Sequence, residues 1–260
     1  MAYSGYGAES YIFNAAGAVG GDQSRRSTVL ESVGNILACP FQDDILDKTG
    51  NHTYDTGTDT IITSASSDNL YHGTGMLDVT GGAGNALICT ATSAPHQIPL
   101  TEPVTIGCFL QWTTLVSTPQ ILVSTNAAGS SGNYGLQRQS SAGWRWQGSS
   151  LTTLGDHREI TPIGRWFHVA IAVEGGRSTA SAAEFYINGQ AVWTGDVSAS
   201  SAPASDDWFT PTLHYNDGAS NWTGRLCNAF ISDNLLDAAT IKALSDEAFG
   251  HASPWAPPAP

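Results

Sequence analysis

The sequence predicts an all-β domain, a β-sandwich or jelly roll closed by one short C-terminal helix. Three observations carry this. About a dozen short apolar runs with period-two alternation are separated by clusters of Gly, Asn, Asp and Ser. Asn188-Gly189 lies between two strand-like runs, "AEFYI" and "QAVWTG", and both residues tolerate the positive φ that a two-residue hairpin turn demands. Charged residues make up only 13% of the chain, so Ser, Thr, Asn, Gln and Gly must supply most of the polar surface.

The strands follow in order. "NILACPF" is short and apolar, and the polar stretch "QDDILDKTGNHTYD" after it reads as a loop. "DTIITSA", "GMLDV" and "NALICTAT" come next, the last two flanking Gly81-Gly82-Ala83-Gly84. In "EPVTIGCFLQWTTL" the alternation puts Val104, Ile106, Cys108, Leu110 and Trp112 on one face. "QILVST" follows, then "GNYGLQRQSSAGWRWQG" as two strands around Ser140 to Gly143. "GRWFHVAIAV" is apolar on both faces, as an inner strand must be. "PTLHYND" and "TGRLCNAFISDN" are the last strands. In "NLLDAATIKALSDEAFG", Asp237 is placed to cap a helix, Ile241, Leu244 and Phe249 recur at helical spacing, and Gly250 stops it.

The 260 residues therefore divide into an N-terminal arm (1–30), a sandwich domain (31–250) and a proline-rich tail (251–260). The arm is glycine-rich, with aromatic residues Tyr3, Tyr6, Tyr11 and Phe13 suited to docking on a partner. Formal net charge is -13 and lysine occurs only at 48 and 242. Such a chain is a poor ligand for phosphate backbones and for anionic membranes, so neither nucleic acid nor membrane is expected as a partner. Cys39, Cys89, Cys108 and Cys227 form no C-x-x-C pair, and three of them lie within apolar runs, which suits buried thiols. The start of the chain has neither the basic nor the apolar segment of a signal peptide, so synthesis in the cytoplasm without a secretory route is expected.

The stretch from Gly164 to Val192 resembles the signature of concanavalin A-like, laminin-G-like jelly rolls: a strand reading W-x-H-V-A, then a hairpin reading Y-x-N-G. The matching residues are Trp166, His168, Val169 and Ala170, then Tyr186, Asn188 and Gly189. "TGRLCNAFISDNLLDAATIKAL" is similar to the family's closing strand and helix, "VTIGCFLQWTTL" to its central strand, and "FQDDILDKTGNH" to its early strand and loop. The likeness spans about residues 33 to 249.

The family's enzymes imply a carboxylate pair on one strand, since glycoside cleavage needs an acid and a nucleophile or base on either side of the bond. No strand here carries Glu-x-x-x-Glu or Glu-x-Asp-x-x-Glu, and Glu184 stands alone. No Gly-x-Ser-x-Gly elbow occurs, and His168 in its apolar strand reads as a core histidine bonded to backbone. A non-enzymatic role is expected, with no cofactor. Calcium is the one ion the loops could hold, at Asp43, Asp44 and Asp47, or at Asn216, Asp217 and Asn221. Glycan recognition is assigned to Trp208, Tyr215, Asn221 and Trp222, which combine aromatic faces with an amide; Trp144, Trp146 and Trp193 are further aromatic candidates, against core packing. The expectation from arm, composition and fold is a phage virion surface protein, a capsid-decoration or tail-associated jelly roll. It would be held to other virion proteins by its arm, contact surface polysaccharide and be free to form a homo-oligomer. The alternatives are a lectin-like adhesion module and, less favoured, a glucanase-type hydrolase or lyase.

Overall fold

The computed structural model describes residues 28–33, 37–39, 48–50, 52–55, 60–62, 76–79, 88–92, 102–115, 120–124, 135–139, 143–147, 151–175, 180–197, 212–213 and 222–249. Fifteen strands and two helices lie within them. The large sheet runs β13-β12-β11-β6-β15-β4-β3, where β13 is Gln190–Val197, β12 Ser181–Ile187, β11 Trp166–Val173, β6 Val104–Leu115, β15 Trp222–Ser232, β4 Met76–Val79 and β3 Thr60–Ile62. β1 (Leu37–Cys39) pairs with the second half of β15, end to end with β4. A second sheet runs β10-β9-β8-β7-β14: Leu151–Gly155, Gly143–Gln147, Gly135–Gln139, Gln120–Ser124 and Thr212–Leu213. β2 (His52–Asp55) pairs with β5 (Ile88–Thr92). Every pairing is antiparallel, as a jelly-roll sandwich requires.

The alternation in β6 holds: Val104, Ile106, Cys108, Leu110 and Trp112 are all buried in the inter-sheet core. Trp144 of β9 reaches across to meet Trp112 at 5.7 Å, Phe185 at 5.3 Å and Phe167 at 6.1 Å between ring centroids. Edge and tilted contacts of this kind suit aromatic quadrupoles and add to the area they bury. Trp144 and Trp146 are thus core residues, and Trp193 packs against the same core. Arg138 shares their face through its pairing with Trp144. Its side chain is fully buried and reaches Asp156 at 3.5 Å, which also holds Arg158 at 2.6 Å.

The outer face of the large sheet carries the helices. Leu30 and Val33 of α1 (Thr28–Val33) and Ile241 and Leu244 of α2 (Ala238–Phe249) pack with Ala38, Ala170, Tyr186 and Phe230. Gly107 permits this: a Cβ there would lie 2.5 Å from the Phe230 ring. Asp237 caps α2 as its position in the sequence implies, its Oδ1 accepting the Thr240 N–H at 2.8 Å.

Three elements depart from the sequence reading. β2 forms where "NHTYD" looked like loop, and β10 forms in "LTTLG", whose alternation is faint because Leu151 is exposed and Leu154 alone is fully buried. α1 is six residues long, too short to show a helical period. Cys39, Cys108 and Cys227 are buried thiols outside any disulfide, in keeping with their apolar runs. Burial pushes the Cys108 thiol far above its ordinary range, which keeps it an inert apolar group.

Candidate functional site

The signature residues have a structural task. The backbone N–H of His168 donates to Asn188 Oδ1 at 2.9 Å, and the Asn188 N–H donates back to the His168 carbonyl at 2.8 Å. Asn188 sits at φ 51° and Gly189 at φ 75°, the geometry of the predicted hairpin. Gly189 is also pressed against α2, where a Cβ would meet the Lys242 backbone at 2.9 Å. The motif therefore locks β11 to β12 and lets the helix settle on their turn. The His168 ring has no catalytic surroundings. It lies between Phe109 (4.7 Å) and Phe230 (6.5 Å), and neither ring nitrogen has a hydrogen-bond partner among the described residues. The backbone bond expected of this histidine is made by its own main chain instead of its ring.

Among the described residues, the outer face opens beyond the N-terminal end of α2. A cavity of about 310 Å³ lies here, within the range of small-ligand sites. Ala172 of β11 and Ala182 of β12 supply small side chains to its lining, Glu174, Glu184, Tyr186 and Thr194 supply polar ones, and the segment Leu235–Ala238 walls it. Strand parity explains the set. Ala182, Glu184 and Tyr186 are spaced by two, so all three leave β12 on the outer face, and Thr194 is paired with Glu184 on β13. The wall is fixed by Thr105 of β6, the neighbour of Ala172. Thr105 Oγ1 donates to the Asn234 carbonyl at 2.7 Å and accepts the Leu236 N–H at 3.0 Å.

The polar groups converge. The Tyr186 hydroxyl donates to Glu184 Oε2. Burial, then the bond and charge of Glu184, then the charge of Asp237 hold the Tyr186 phenol protonated, well above the usual tyrosine range. Asp237 is held below the usual carboxylate range by its bonds to the first-turn backbone of α2, chiefly at Thr240. The cavity thus presents carboxylate acceptors, a phenol hydroxyl bonded to one of them, a threonine hydroxyl and the half-exposed apolar side chain of Leu235.

Of these residues only Glu184, Tyr186 and Asp237 stood out in the sequence, each for another reason. The signal was the outward series Ala182, Glu184, Tyr186, visible only once the helix is known to leave that part of the sheet uncovered. The sequence-derived glycan residues Trp208, Tyr215 and Asn221 lie outside the described residues. Trp222 is placed only by its backbone, opposite Leu115 at the start of β15. The calcium candidates Asp43, Asp44, Asp47, Asn216 and Asp217 and the arm residues Tyr3, Tyr6, Tyr11 and Phe13 also lie outside the described residues. Among the described residues no group of three or more His, Cys, Asp or Glu side chains could hold a metal ion. Nor is any described helix long and apolar enough to cross a membrane.

A sequence profile described as the Concanavalin A-like lectin/glucanases superfamily matches residues 80–242. No curated protein sequence matches the chain significantly. Among solved structures, the binding domain of Paraclostridial Mosquitocidal Protein 1 is similar at a TM-score of 0.59 and 14% identity, over 85% of this chain and 53% of that one. The botulinum neurotoxin serotype D ligand binding domain in complex with N-acetylneuraminic acid is similar at 0.58 and 14% identity, over 84% and 52%. The chain spans about half the length of these toxin domains, and at such identity the likeness is one of fold.

Proposed function

The chain belongs to the concanavalin A-like lectin/glucanases superfamily, and we propose that it is a non-catalytic, saccharide-binding jelly roll that takes its ligand in the cavity between β12 and the Leu235–Ala238 segment. The observation that carries this is the convergence in one small cavity of Glu184, Tyr186 and Thr194 over an alanine floor, beside the exposed Leu235. Sugars offer hydroxyls to such acceptors and a C–H face to such an apolar rim. The complex of the serotype D domain with N-acetylneuraminic acid supports saccharide recognition on a related fold. A binding role in preference to hydrolysis is supported by the sequence, in which no strand carries the paired carboxylates of glycoside cleavage. Ala182→Trp should fill the cavity from the exposed side of β12 without touching the inter-sheet core. Binding to a glycan panel should be lost in this variant while its thermal unfolding stays that of the parent. Retained binding would overturn the assignment.

A virion surface role is the second reading, and the composition of the arm supports it. Tyr3, Tyr6, Tyr11 and Phe13 are aromatic anchors spaced among glycines, as a chain that threads between subunits would carry them. On this reading, deletion of residues 1–30 prevents incorporation into particles and leaves the domain folded; unchanged incorporation refutes it.

A further inference from the structure

The cavity between β12 and α2 defines a site; its charges define what can enter. Three carboxylates line it, Glu174, Glu184 and Asp237, and no Lys or Arg is among the described residues that do. Asp237 spends one oxygen on the α2 cap. Tyr186 stays protonated and donates to Glu184, so the hydroxyl adds no charge to those of the carboxylates. The chain as a whole carries -13, so the long-range field has the same sign as the local one. An anionic sugar entering here would meet repulsion, with no Lys or Arg among the described lining residues to offset it. A protonated amino group would meet charge-assisted acceptors, which give roughly twice the strength of neutral hydrogen bonds.

Resting on the saccharide reading above, we infer that this cavity selects amino sugars with a free ammonium group, such as glucosamine oligomers, over N-acetylated and sialylated ones. Selection is by carboxylate charge, with Glu184 as the specificity residue. The preference is electrostatic in a cavity open to water, so added salt weakens it.

The test is calorimetric titration of the full-length protein at pH 6 with three saccharides: a glucosamine tetramer, its fully N-acetylated counterpart, and sialyllactose. The expected result is at least a tenfold preference for the free amine over the N-acetyl form, no detectable sialyllactose binding, and a preference that shrinks from low salt to 0.5 M NaCl. Glu184→Gln keeps the shape of the site and removes one charge. It should cut affinity for the amine about tenfold and affinity for the N-acetyl form far less, so that the preference between the two collapses. Equal affinity for amine and N-acetyl forms, or measurable sialyllactose binding, overturns the charge selection while leaving the saccharide site standing, provided Ala182→Trp abolishes that binding. Absence of binding to all three overturns both.

Discussion

One outer sheet face is used in two ways. Over Ala170, Gly107 and Phe230 it is sealed by α1 and α2, and the residues there are small, aromatic or, in His168, polar yet without a polar neighbour to bond the ring. Two residues along β12 from the buried Tyr186, over Glu184 and Ala182, the seal ends and charged and hydroxylic side chains appear. The strands are continuous across this boundary. What changes is only what lies on them, and that is set by where Asp237 starts the helix. Above the cap α2 excludes water and makes a buried polar group costly; below it, the same sheet can afford carboxylates. The sealed half holds the fold, and the open half is free to hold a ligand.

The sharpest way to break the comparison is to charge the sealed half. Burial lowers the His168 imidazole from its ordinary range to about 3. The folded value lies below the unfolded one, so the neutral ring contributes stability that is complete above about pH 6.5 and is lost as pH falls toward 3. The loss follows the linkage slope, on the order of 2 kcal/mol by pH 5 and roughly twice that near pH 3. Urea unfolding at pH 7, 6, 5 and 4 should show this decline, and His168→Leu, which keeps an apolar side chain between Phe109 and Phe230, should remove most of it. A variant with the parent's acid slope would show that His168 is not as sealed as its burial implies.

This also accounts for how much the sequence disclosed. Alternation in β6 and β11, the Asn188-Gly189 turn and the Asp237 cap are local facts with local physics, and each is found where the sequence places it. The double role of Gly189 was only half visible: its positive φ follows from the turn, but its contact with Lys242 depends on a helix over fifty residues later. β10 was missed because a partly exposed strand such as "LTTLG" has no clear apolar period. The cavity was invisible for a stronger reason. Ala182, Glu184 and Tyr186 share one side of an ordinary strand, and only the end of the helix above them makes that side the floor of a cavity. Reasoning from aromatic and acidic residues drew attention to Trp144 and Trp146, which are buried side chains of the core, and toward loops, because an exposed ligand-binding tryptophan and a core tryptophan carry the same letter.

The smaller effect is at the seam between the two halves, and it discriminates between them. Thr105 is fully buried, belongs to the sheet, and holds the segment that is both the entry to α2 and the wall of the cavity. Thr105→Val preserves shape and removes the hydroxyl, leaving the Asn234 carbonyl and the Leu236 N–H without their partner. The expected cost is about 1–3 kcal/mol, read as a lower urea midpoint with an unchanged slope. If the open half is only surface, that loss is the whole result. If it is a site, the loosened wall also lowers saccharide affinity at temperatures where the variant is fully folded. Thr105→Ser, which restores the hydroxyl and deletes a methyl, then recovers affinity even where it does not fully recover stability. Stability and affinity moving apart in this pair would separate the two uses of the sheet; a strict parallel between them would argue that the cavity is an incidental gap at the end of a helix.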